Sequence, residues 1–332
     1  KSKIYSVVKS DAYGHGVKKV VGALRKSDGF CVATIEEADE FREFSKKPLL
    51  CLQGFYDEED LKLAYLHKLE LVIHNEEQIA LLEKLKLSFP YLWLKFDTGM
   101  NRLGFKQNEI EKMMDRLRPF SNKIVLMTHL KSSSGKKMSK FITNNQFNLF
   151  TKTSSNLKQK NHNFLTSVSN SGGILNFENL SSDIERPGLS LYGSHYEYES
   201  KTFRLKNVTT LVSKIIAIKE IKKGETVGYD GLWQAKKNSL IGIVPIGYSD
   251  GIPLNYGNKG YVLVKKAKAK VIGRVAMDLM AIELPDDGIN VGEDIILWGK
   301  ELRVDELALL TDNIPYSFMT SLSKRVKRKY IK

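Results

Sequence analysis

Short apolar runs alternate with charged stretches of helical period over roughly the first 200 residues. Each apolar run is four to ten residues long, and most are rich in β-branched or aromatic side chains, which is typical of strands. The runs are continuous rather than alternating, as expected when both faces of a parallel sheet are covered. We therefore predict eight strands, within residues 4–9, 30–34, 48–53, 69–74, 92–97, 123–130, 164–170 and 184–193.

Helix-like segments separate most of these strands. Their apolar residues recur with helical spacing, and polar residues occupy the other positions. Eight strands joined in this way are the number that a closed (β/α)8 barrel requires. An open doubly wound sheet is the alternative, but no Gly-rich phosphate loop follows the first strand. The sequence favours an α/β fold with a barrel, whose helices are predicted within residues 16–27, 35–44, 57–68, 75–87, 109–118 and 144–158.

The pattern changes after about residue 206. Strand-like runs broken by Gly, Asp and Pro dominate residues 208–231, 238–252, 260–284 and 294–299, and the next helix-like segment is 303–311. This pattern is typical of a mostly antiparallel β domain. We therefore predict two domains, a (β/α)8 barrel over residues 1–205 and a C-terminal β domain over residues 206–332.

The formal net charge of +14 over 332 residues raises the possibility of a nucleic-acid-binding protein. The lysines are interleaved with glutamates along helices, as in "IEEADEFREFSKK", which is the pattern of a solvated helix face. Only the tail "KRVKRKYIK" is a basic run, and it has no aromatic residues spaced to stack bases. A basic enzyme that attracts small anions is the better interpretation.

Other features of the composition indicate a soluble protein of a reducing compartment. No apolar run approaches the ~18 to 20 residues that cross a bilayer. Cys31 and Cys51 lie in strand-like runs and have no C-x-x-C partner, so we expect buried thiols rather than a disulfide or a zinc site. We expect a cytoplasmic protein, and, since the chain starts almost on its first strand, a missing N-terminal piece.

Polar side chains gather at the predicted C-terminal ends of the barrel strands, where barrel enzymes place their chemistry. Cationic residues, small hydroxyls and the glycine-bearing turns "SNSGG" and "RPGLS" would meet at one mouth and suit an anionic ligand such as a phosphate. The candidates are Lys9, Tyr13, His15, Lys95, Asp97, Arg102, His129, Asn170, Ser171 and Arg186.

Each candidate also has a purely structural interpretation. Lys9 can extend from a strand end to water, and His129 can be a satisfied core histidine. Asp97 can cap a turn, and Arg186 can pair with a neighbouring acid. Their joint occurrence at successive strand ends favours the functional interpretation.

The stretch "VVKSDAYGHG", residues 7–16, resembles the pyridoxal-phosphate attachment signature of the bacterial alanine racemases. Further motifs follow in that family's order and cover almost the whole chain: "VATIEEADEFR", "KFDTGMNRLGF", "SNSGG", "RPGLSLYG", "VGYDG", "PIGYSDG" and "GRVAMDLM". The resemblance implies a (β/α)8 barrel followed by a β domain, in agreement with the pattern above. It also implies pyridoxal 5'-phosphate as the cofactor and a homodimer with shared active sites.

The resemblance assigns roles residue by residue. Lys9 would hold the cofactor as a Schiff base, and Tyr229 would be the second catalytic base. Lys95 matches a position that is often carbamylated, and Tyr248, Met277 and Asp278 match the partner-contributed wall of the substrate channel. Cofactor contacts are implied for Lys9, Tyr13, His129, Asn170, Ser171, Arg186, Gly188 and Leu189, and substrate contacts for Lys95, Arg102, Tyr248, Met277 and Asp278.

The implied activity is the interconversion of L- and D-alanine by two bases acting on the cofactor-bound amino acid, which would supply D-alanine for peptidoglycan. Arg186 stays protonated and only donates to the pyridine nitrogen, which favours racemisation over a barrel-type decarboxylase. Lys324 replaces a tyrosine that usually touches the phosphate, so a serine or broader-specificity racemase is the near alternative. A pyridoxal-phosphate carrier is a weaker one, because such carriers tend to lack the β domain. We expect no nucleic-acid or membrane partner.

Overall fold

A computed structural model describes residues 2–134, 136–195, 205–285 and 288–331. Its contacts divide the chain into two compact units. The first contains Lys1–Ala12 and Gly16–Leu191, and the second contains Tyr13–His15 and Tyr192–Lys332. Among the described helices, none combines the length and the apolar character that crossing a membrane requires.

The first unit is built on an eight-stranded parallel sheet, and every strand lies inside a run predicted from the sequence, apart from one residue at each of two strand starts. The order β7-β6-β5-β4-β3-β2-β1-β8 is that of a barrel followed around its circumference. Strands β2, β3, β4 and β6 are buried at every residue, which explains their continuous apolar sequence. The bounds are β1 Lys3–Val7, β2 Gly29–Val32, β3 Leu49–Cys51, β4 Glu70–Ile73, β5 Leu92–Lys95, β6 Ile124–Met127, β7 Leu165–Ser167 and β8 Ile184–Glu185.

The last two strands, β7 and β8, are joined differently from the others. Side chains supply most of the bonds: the Asp183 carboxylate accepts from the amide of Thr166 at 2.7 Å, and the Ser167 hydroxyl donates to the carbonyl of Ile184 at 2.6 Å. Beyond the strands, the amide of Arg186 donates to the carbonyl of Ser169 at 3.1 Å. These bonds close the barrel where a regular backbone ladder is absent from the described pairings.

The barrel helices begin at side-chain caps that the sequence carries. Thr34, Asp57 and Asn75 each accept a bond from an amide in the first turn of the following helix. The helix predicted over 144–158 begins earlier, at Lys137, and two short helices were not predicted. The bounds are α1 Lys9–Gly14, α2 Val17–Ala23, α3 Ile35–Arg42, α4 Glu58–Leu66, α5 Glu76–Leu85, α6 Ile110–Leu117, α7 Lys137–Gln159 and α8 Ser171–Asn176.

The element α1, which starts at Lys9, is a left-handed turn. Ser10, Asp11, Ala12 and Tyr13 have φ angles of 54°, 51°, 53° and 54°, and Gly14 continues at 77°. Four consecutive L-residues in this region cost roughly 1–2 kcal/mol each. Contacts outside the turn must therefore hold it in place.

The second unit is a mostly antiparallel β structure, as predicted. Seven strands follow the order β10-β13-β16-β15-β14-β17-β9, and β11 and β12 form a separate hairpin. Helix α9 matches the predicted segment 303–311, and α10 was not predicted. The bounds are β9 Leu211–Lys214, β10 Ala217–Ile221, β11 Thr226–Val227, β12 Trp233–Gln234, β13 Ser239–Val244, β14 Tyr261–Val264, β15 Ala267–Ile272, β16 Met280–Glu283, β17 Asp294–Trp298, α9 Val304–Leu310 and α10 Pro315–Thr320.

An aromatic cluster fills the core of the second unit. The ring of Phe318 packs edge-on against Trp298 and Tyr256, with centroid distances of 5.4 and 6.0 Å. All three side chains are fully buried, and the Tyr256 hydroxyl donates to the carbonyl of Tyr261 at 2.6 Å. This cluster anchors α10 and the residues that follow it on the sheet.

Candidate active site

The barrel brings the predicted cationic residues of the first unit to one end, because each follows or closes a parallel strand. Lys9 lies two residues after β1, Lys95 ends β5, His129 lies two residues after β6, and Arg186 directly follows β8. Their charges act on one another: burial lowers the pKa of His129, and the charges of Lys95, Arg186, Arg102 and Lys9 lower it further. These groups therefore form one electropositive mouth.

The amine of Lys9 is half-buried and donates to no acceptor within the described part of the chain. Burial lowers its pKa below the ordinary value, and the positive charge of Arg102 lowers it further. The Glu37 carboxylate opposes both effects in part. A lysine with a lowered pKa and no bonding partner is available as a nucleophile or a base.

The left-handed turn after Lys9 is fixed by two carboxylates. Glu37 in α3 accepts from the amides of Ser10 and Ala33, both at 2.7 Å. Asp11 accepts from the amide of Val17 at 2.7 Å and so joins the turn to α2. Sequence reasoning read Glu37 as part of a solvated helix face. The available signal was its position three residues after the cap Thr34, which is that of a capping-box glutamate.

Arg186 is buried and held by neutral acceptors. Nη1 donates to the hydroxyl of Ser167, and Nη2 donates to the carbonyls of Thr128 at 2.6 Å and Val168 at 3.4 Å. Burial lowers the pKa of Arg186 to about 10. Its Nε–H has no acceptor among the residues described, so one donor of a fixed cation is left for a ligand.

The acids beside Arg186 do not neutralise it through an ion pair. The Glu185 carboxylate accepts from the amide and the hydroxyl of Ser182, both at 3.0 Å. Asp183 is committed to the amide of Thr166 at the β7–β8 junction. The predicted alternative, in which Arg186 pairs with a neighbouring acid, is therefore not the arrangement found.

The side chains of His129 and Lys95 are half-buried, and positively charged residues surround both of them. Desolvation holds the pKa of both groups well below the usual range, and Arg186 and Arg102 lower it further. The effect of Asp97 on the pKa of Lys95 is in the opposite direction and smaller. The imidazole is therefore neutral at ordinary pH, and it has no hydrogen-bond partner in the part of the chain that is described.

Arg102 lies on the loop after β5, beside a cleft of about 400 Å³. Asp97 shapes this loop, since its carboxylate accepts from the amides of Gly99 and Asn101 at 3.0 Å and pairs with Lys106 at 2.6 Å. Asp97 thus caps a turn, as its structural interpretation predicted. Arg102 is exposed and makes no ion pair with a described residue, so its charge is available to an anion.

The turns "SNSGG" and "RPGLS" meet at the hydroxyl of Ser171. This oxygen lies 2.8 Å from the amide of Gly188 and 3.1 Å from that of Ser190. Asn170 caps α8 by accepting from the amide of Gly173 at 3.0 Å. The amide of Leu189 makes no hydrogen bond to the residues described, and it lies in the chain between the two amides that Ser171 holds.

Tyr13 and His15 belong to the second unit. The ring of Tyr13 stacks on Tyr192 at 4.7 Å and lies 5.6 Å from Tyr316. His15 contacts the same Tyr192 ring, and its Nδ1 lies 2.9 Å from the carbonyl of Tyr13. Gly14 between them is required, because a Cβ there would lie 2.1 Å from the carbonyl oxygen of Met319.

Tyr229 lies in the turn of the β11–β12 hairpin and is 66% exposed. The turn requires left-handed backbone at Gly228, Asp230 and Gly231. Arg274 pairs with the Asp230 carboxylate at 2.9 Å and so steadies the residue next to Tyr229. The phenol of Tyr229 is therefore exposed at a turn whose backbone conformation is well defined.

Tyr248, Met277 and Asp278 lie on two loops joined by backbone bonds. The amide of Tyr248 donates to the carbonyl of Ala276 at 3.0 Å, and the amide of Ser249 donates to that of Met277 at 3.0 Å. All three side chains are exposed in the second unit. Lys324 is also exposed and makes no bond to a described residue.

The predicted residues thus fall into two groups, one in each unit. The first unit gathers the lysine, the cations and the turns around Ser171, and the second gathers the exposed tyrosines and the Met277–Asp278 loop. Sequence reasoning missed the residues that hold these groups, because contacts with backbone atoms and with residues distant in sequence leave no motif. They are Glu37, Thr128, Ser167, Arg274, Arg325 and Arg328.

Comparisons with known proteins agree over nearly the whole chain. The sequence model described as "Alanine racemase, N-terminal domain" matches residues 1–196, and "Alanine racemase, C-terminal domain" matches residues 208–330. An alanine racemase of Pasteurella multocida is 38% identical over 338 residues, which cover 99% of this chain and 92% of the relative.

Solved structures extend the similarity to the fold. The biosynthetic alanine racemase of Pseudomonas aeruginosa superposes with a TM-score of 0.93 at 34% identity, covering 100% of this chain and 93% of the other. The alanine racemase of Bartonella henselae, solved with covalently bound pyridoxal phosphate, has a TM-score of 0.88 at 27% identity, covering 99% and 93%. The chain therefore belongs to the alanine racemase family.

Proposed function

We propose that this protein is an isomerase that interconverts L-alanine and D-alanine with pyridoxal 5'-phosphate as its cofactor. The observation that carries the proposal is the half-buried, partner-free amine of Lys9 at a cationic barrel mouth, in a chain that matches the racemase family over its length. We further propose that the product supplies peptidoglycan synthesis.

The residues of the first unit fit the proposed cofactor. The Lys9 amine would attach it covalently, and the free Nε–H of Arg186 would donate to the pyridine nitrogen. The unbonded amide of Leu189, with Gly188, Ser171 and the cap Asn170, would hold the phosphate. We assign the neutral His129 to the ring; Tyr13, which belongs to the second unit, stays a predicted phosphate contact. When bound, pyridoxal phosphate withdraws electrons and makes the α-proton of the amino acid acidic.

Racemisation needs a proton acceptor and a donor on opposite faces of the α-carbon. We assign one of these two roles to Lys9. Its lowered pKa makes the unprotonated amine more abundant at a given pH than it is for an ordinary lysine. We assign the other role to Tyr229, which lies in the turn that the Arg274–Asp230 ion pair supports. Arg102, with its uncompensated charge, would hold the substrate carboxylate, and Lys95 would adjoin it.

Arg186 supports racemisation over decarboxylation. With a pKa of about 10 it keeps its proton at neutral pH and can only donate a hydrogen bond to the pyridine nitrogen. A pyridine nitrogen held by this donor would keep no proton of its own and would withdraw electrons less strongly, which would disfavour side reactions. An acid at this place would protonate the nitrogen, but Glu185 is held by Ser182.

We propose a homodimer in which the second unit of each copy completes the partner's site. Several side chains of the second unit are both large and exposed, as expected of residues that a partner covers. Tyr248, Met277 and Asp278 would form the wall of the partner's substrate channel, and Tyr229 would supply the base. The apolar members of this exposed set are Tyr229, Leu232, Tyr248, Leu254, Met277 and Leu279.

We also propose that the two domains divide at residues 205 and 206, and that the protein works in the cytoplasm. The free, buried thiols of Cys31 and Cys51 suit a reducing compartment.

The activity is tested by incubating the purified protein with pyridoxal phosphate and L-alanine and separating the products by chiral chromatography. We expect D-alanine to accumulate toward an equal mixture. L-serine is assayed in parallel, because Lys324 replaces the tyrosine that usually touches the phosphate, and this replacement is the reason for the serine or broader-specificity alternative. A protein that holds its cofactor but yields D-serine and no D-alanine would contradict the proposed substrate.

A further inference from the structure

The residues after α10, Ser321–Tyr330, form what we call the C-terminal strap. They run along the second unit and contact two of its segments. In the sequence this segment stands out as a basic run and for Lys324, and neither of the two residues that make the contacts was predicted to have a role. Its two arginines, Arg325 and Arg328, make these contacts.

Arg328 binds only main-chain carbonyls. Its Nε–H donates to Gly14 at 2.8 Å, and its terminal nitrogens donate to Leu322, Ser323 and Val326 at 3.1 to 3.3 Å. Three of these bonds fold the strap into a compact turn, and the fourth attaches that turn to Gly14. Four bonds from three nitrogens of one side chain require the planar guanidinium, which has five N–H donors; the single ammonium of a lysine cannot make them.

A second bond reaches the same segment, since the Tyr330 hydroxyl donates to the carbonyl of His15 at 3.1 Å. Gly14 is the last residue of the left-handed turn that begins at Lys9. The start of that turn is held by Glu37, and its end is held by Arg328. Because the turn is strained, its position depends on both ends being held.

Arg325 bridges two acids of the loops that carry Tyr248 and Met277. It pairs with Asp278 at 2.6 Å and with Asp250 at 3.3 Å. Asp250 is nearly buried and accepts from the amide of Gly247 at 2.9 Å.

The strap backbone adds to this attachment. The amide of Ser323 donates to the carbonyl of Asp250 at 3.1 Å, and the hydroxyl of Ser321 donates to that of Gly251 at 2.8 Å. The 247–251 loop is therefore held by the strap, and Arg325 extends the hold to Asp278.

We propose that the C-terminal strap positions two parts of the catalytic machinery through separate arginines: Arg328 the Lys9 turn, and Arg325 the Met277–Asp278 wall. The inference rests on the proposed function, which gives these two parts their roles. It makes Arg325 and Arg328 positioning residues, and it predicts that their effects separate. Loss of Arg328 weakens cofactor binding, whereas loss of Arg325 weakens substrate binding.

The test compares Arg325→Gln and Arg328→Gln, with Lys327→Gln as the matched control. Lys327 lies between them, is exposed and has no bond to a described residue, so its replacement removes the same charge without a contact. Two quantities are measured for each variant: the Kd for pyridoxal phosphate, by titration of the cofactor-free enzyme, and KM and kcat for L-alanine at saturating cofactor.

We expect Arg328→Gln to raise the cofactor Kd about tenfold, since a charged donor of several bonds is lost. We expect Arg325→Gln to raise KM about fivefold, the upper range for an exposed ion pair, with kcat and cofactor Kd unchanged. Arg325→Lys should restore KM, because a point charge still reaches Asp278. Arg328→Lys should not restore the Kd, because lysine cannot bind the four carbonyls.

Equal changes of Kd and KM in both variants, or changes as large in Lys327→Gln, would overturn the inference. Circular dichroism and thermal unfolding identify a variant that fails to fold, and the two lysine variants then carry the comparison. If the wild-type protein binds the cofactor but makes no D-alanine, the proposed function fails. The cofactor Kd of Arg328→Gln against Lys327→Gln still tests the role of Arg328.

Discussion

The Glu37 carboxylate accepts the amide of Ser10 at 2.7 Å, although the two residues lie on different elements of the barrel. Its other oxygen accepts the amide of Ala33 at 2.7 Å, so one side chain ties α3 to the strained turn after Lys9. The backbone turn that follows Lys9, the lysine that we assign to the cofactor, is thus held by a side chain of another element.

Replacing Glu37 should therefore weaken cofactor binding without touching the cofactor. Glu37→Ala removes both acceptors and leaves two amides unpaired, at ~1–3 kcal/mol each where water is excluded. We expect the Kd for pyridoxal phosphate to rise at least tenfold, measured by titration of the cofactor-free protein. Glu40→Gln, at an exposed position of the same helix, is the control. An unchanged Kd in Glu37→Ala would show that the turn keeps its shape unaided.

Lys9→Ala should abolish covalent attachment. Lys95 also lies at the mouth, and its lowered pKa would make it reactive too, so the measurement must identify the modified residue. Reduction with borohydride followed by peptide mapping should find the adduct on Lys9 in the wild type and none in the variant. Lys18→Ala is the control, since Lys18 is exposed on α2. An adduct that persists on Lys95 would contradict the assignment of Lys9.

Tyr229→Phe should stop racemisation and leave the cofactor in place. A positioned base contributes about 10²- to 10⁴-fold, and we expect the kcat for conversion of L-alanine to fall by at least 100-fold. The Kd for pyridoxal phosphate should stay within about twofold, as expected of a group that moves protons and does not bind the cofactor. Equal losses of activity and of cofactor affinity would instead make Tyr229 structural.

A buried triad inside the barrel makes stability depend on pH. Glu70 accepts from the Tyr5 hydroxyl and from the Trp93 indole, both at 2.8 Å, and burial raises the pKa of Glu70 above its ordinary value of 4.5. Because the folded pKa is the higher one, the stabilisation is fully present below pH 4.5 and is lost as the pH rises through the folded pKa.

Urea denaturation across this pH range should therefore show the free energy of unfolding falling in the wild type, relative to Glu70→Gln. The variant should lack this slope, because its neutral amide does not titrate: its oxygen can accept from the Trp93 indole and its NH2 can donate to the Tyr5 hydroxyl. Glu40→Gln should behave as the wild type. Parallel slopes in wild type and Glu70→Gln would assign the pH dependence to other groups.

The eight barrel strands and the β unit were predictable because their signals are local. The run "LLCL" within residues 48–53 is apolar throughout, as expected for a short strand with two covered faces. Lys9, His129 and Arg186 were also predictable as a group, since parallel strands bring their C-terminal ends together. The resemblance to a known family supplied their separate roles.

The left-handed turn was not predictable in the same way. "KSDAYG" contains one glycine, and nothing in its composition requires four preceding residues to take positive φ. The contacts that hold it come from Glu37, 27 residues from Ser10, and from Arg328, 314 residues from Gly14. A conformation fixed by residues so distant in sequence leaves no periodic or local signal. The contacts of the strap were not predictable for the same reason, since in a sequence Arg325 and Arg328 look like surface charges whether or not they bind distant carboxylates or carbonyls.

The junction between β7 and β8 has a consequence for behaviour at high concentration. A closed barrel offers no unpaired strand edge to other chains, but here closure depends on the Asp183 carboxylate and a few hydroxyl bonds. Opening this junction would expose two short edges at once, each able to pair with the same edge of another molecule. We therefore expect loss of Asp183 to expose these edges and to reduce colloidal stability, even where the catalytic groups are intact.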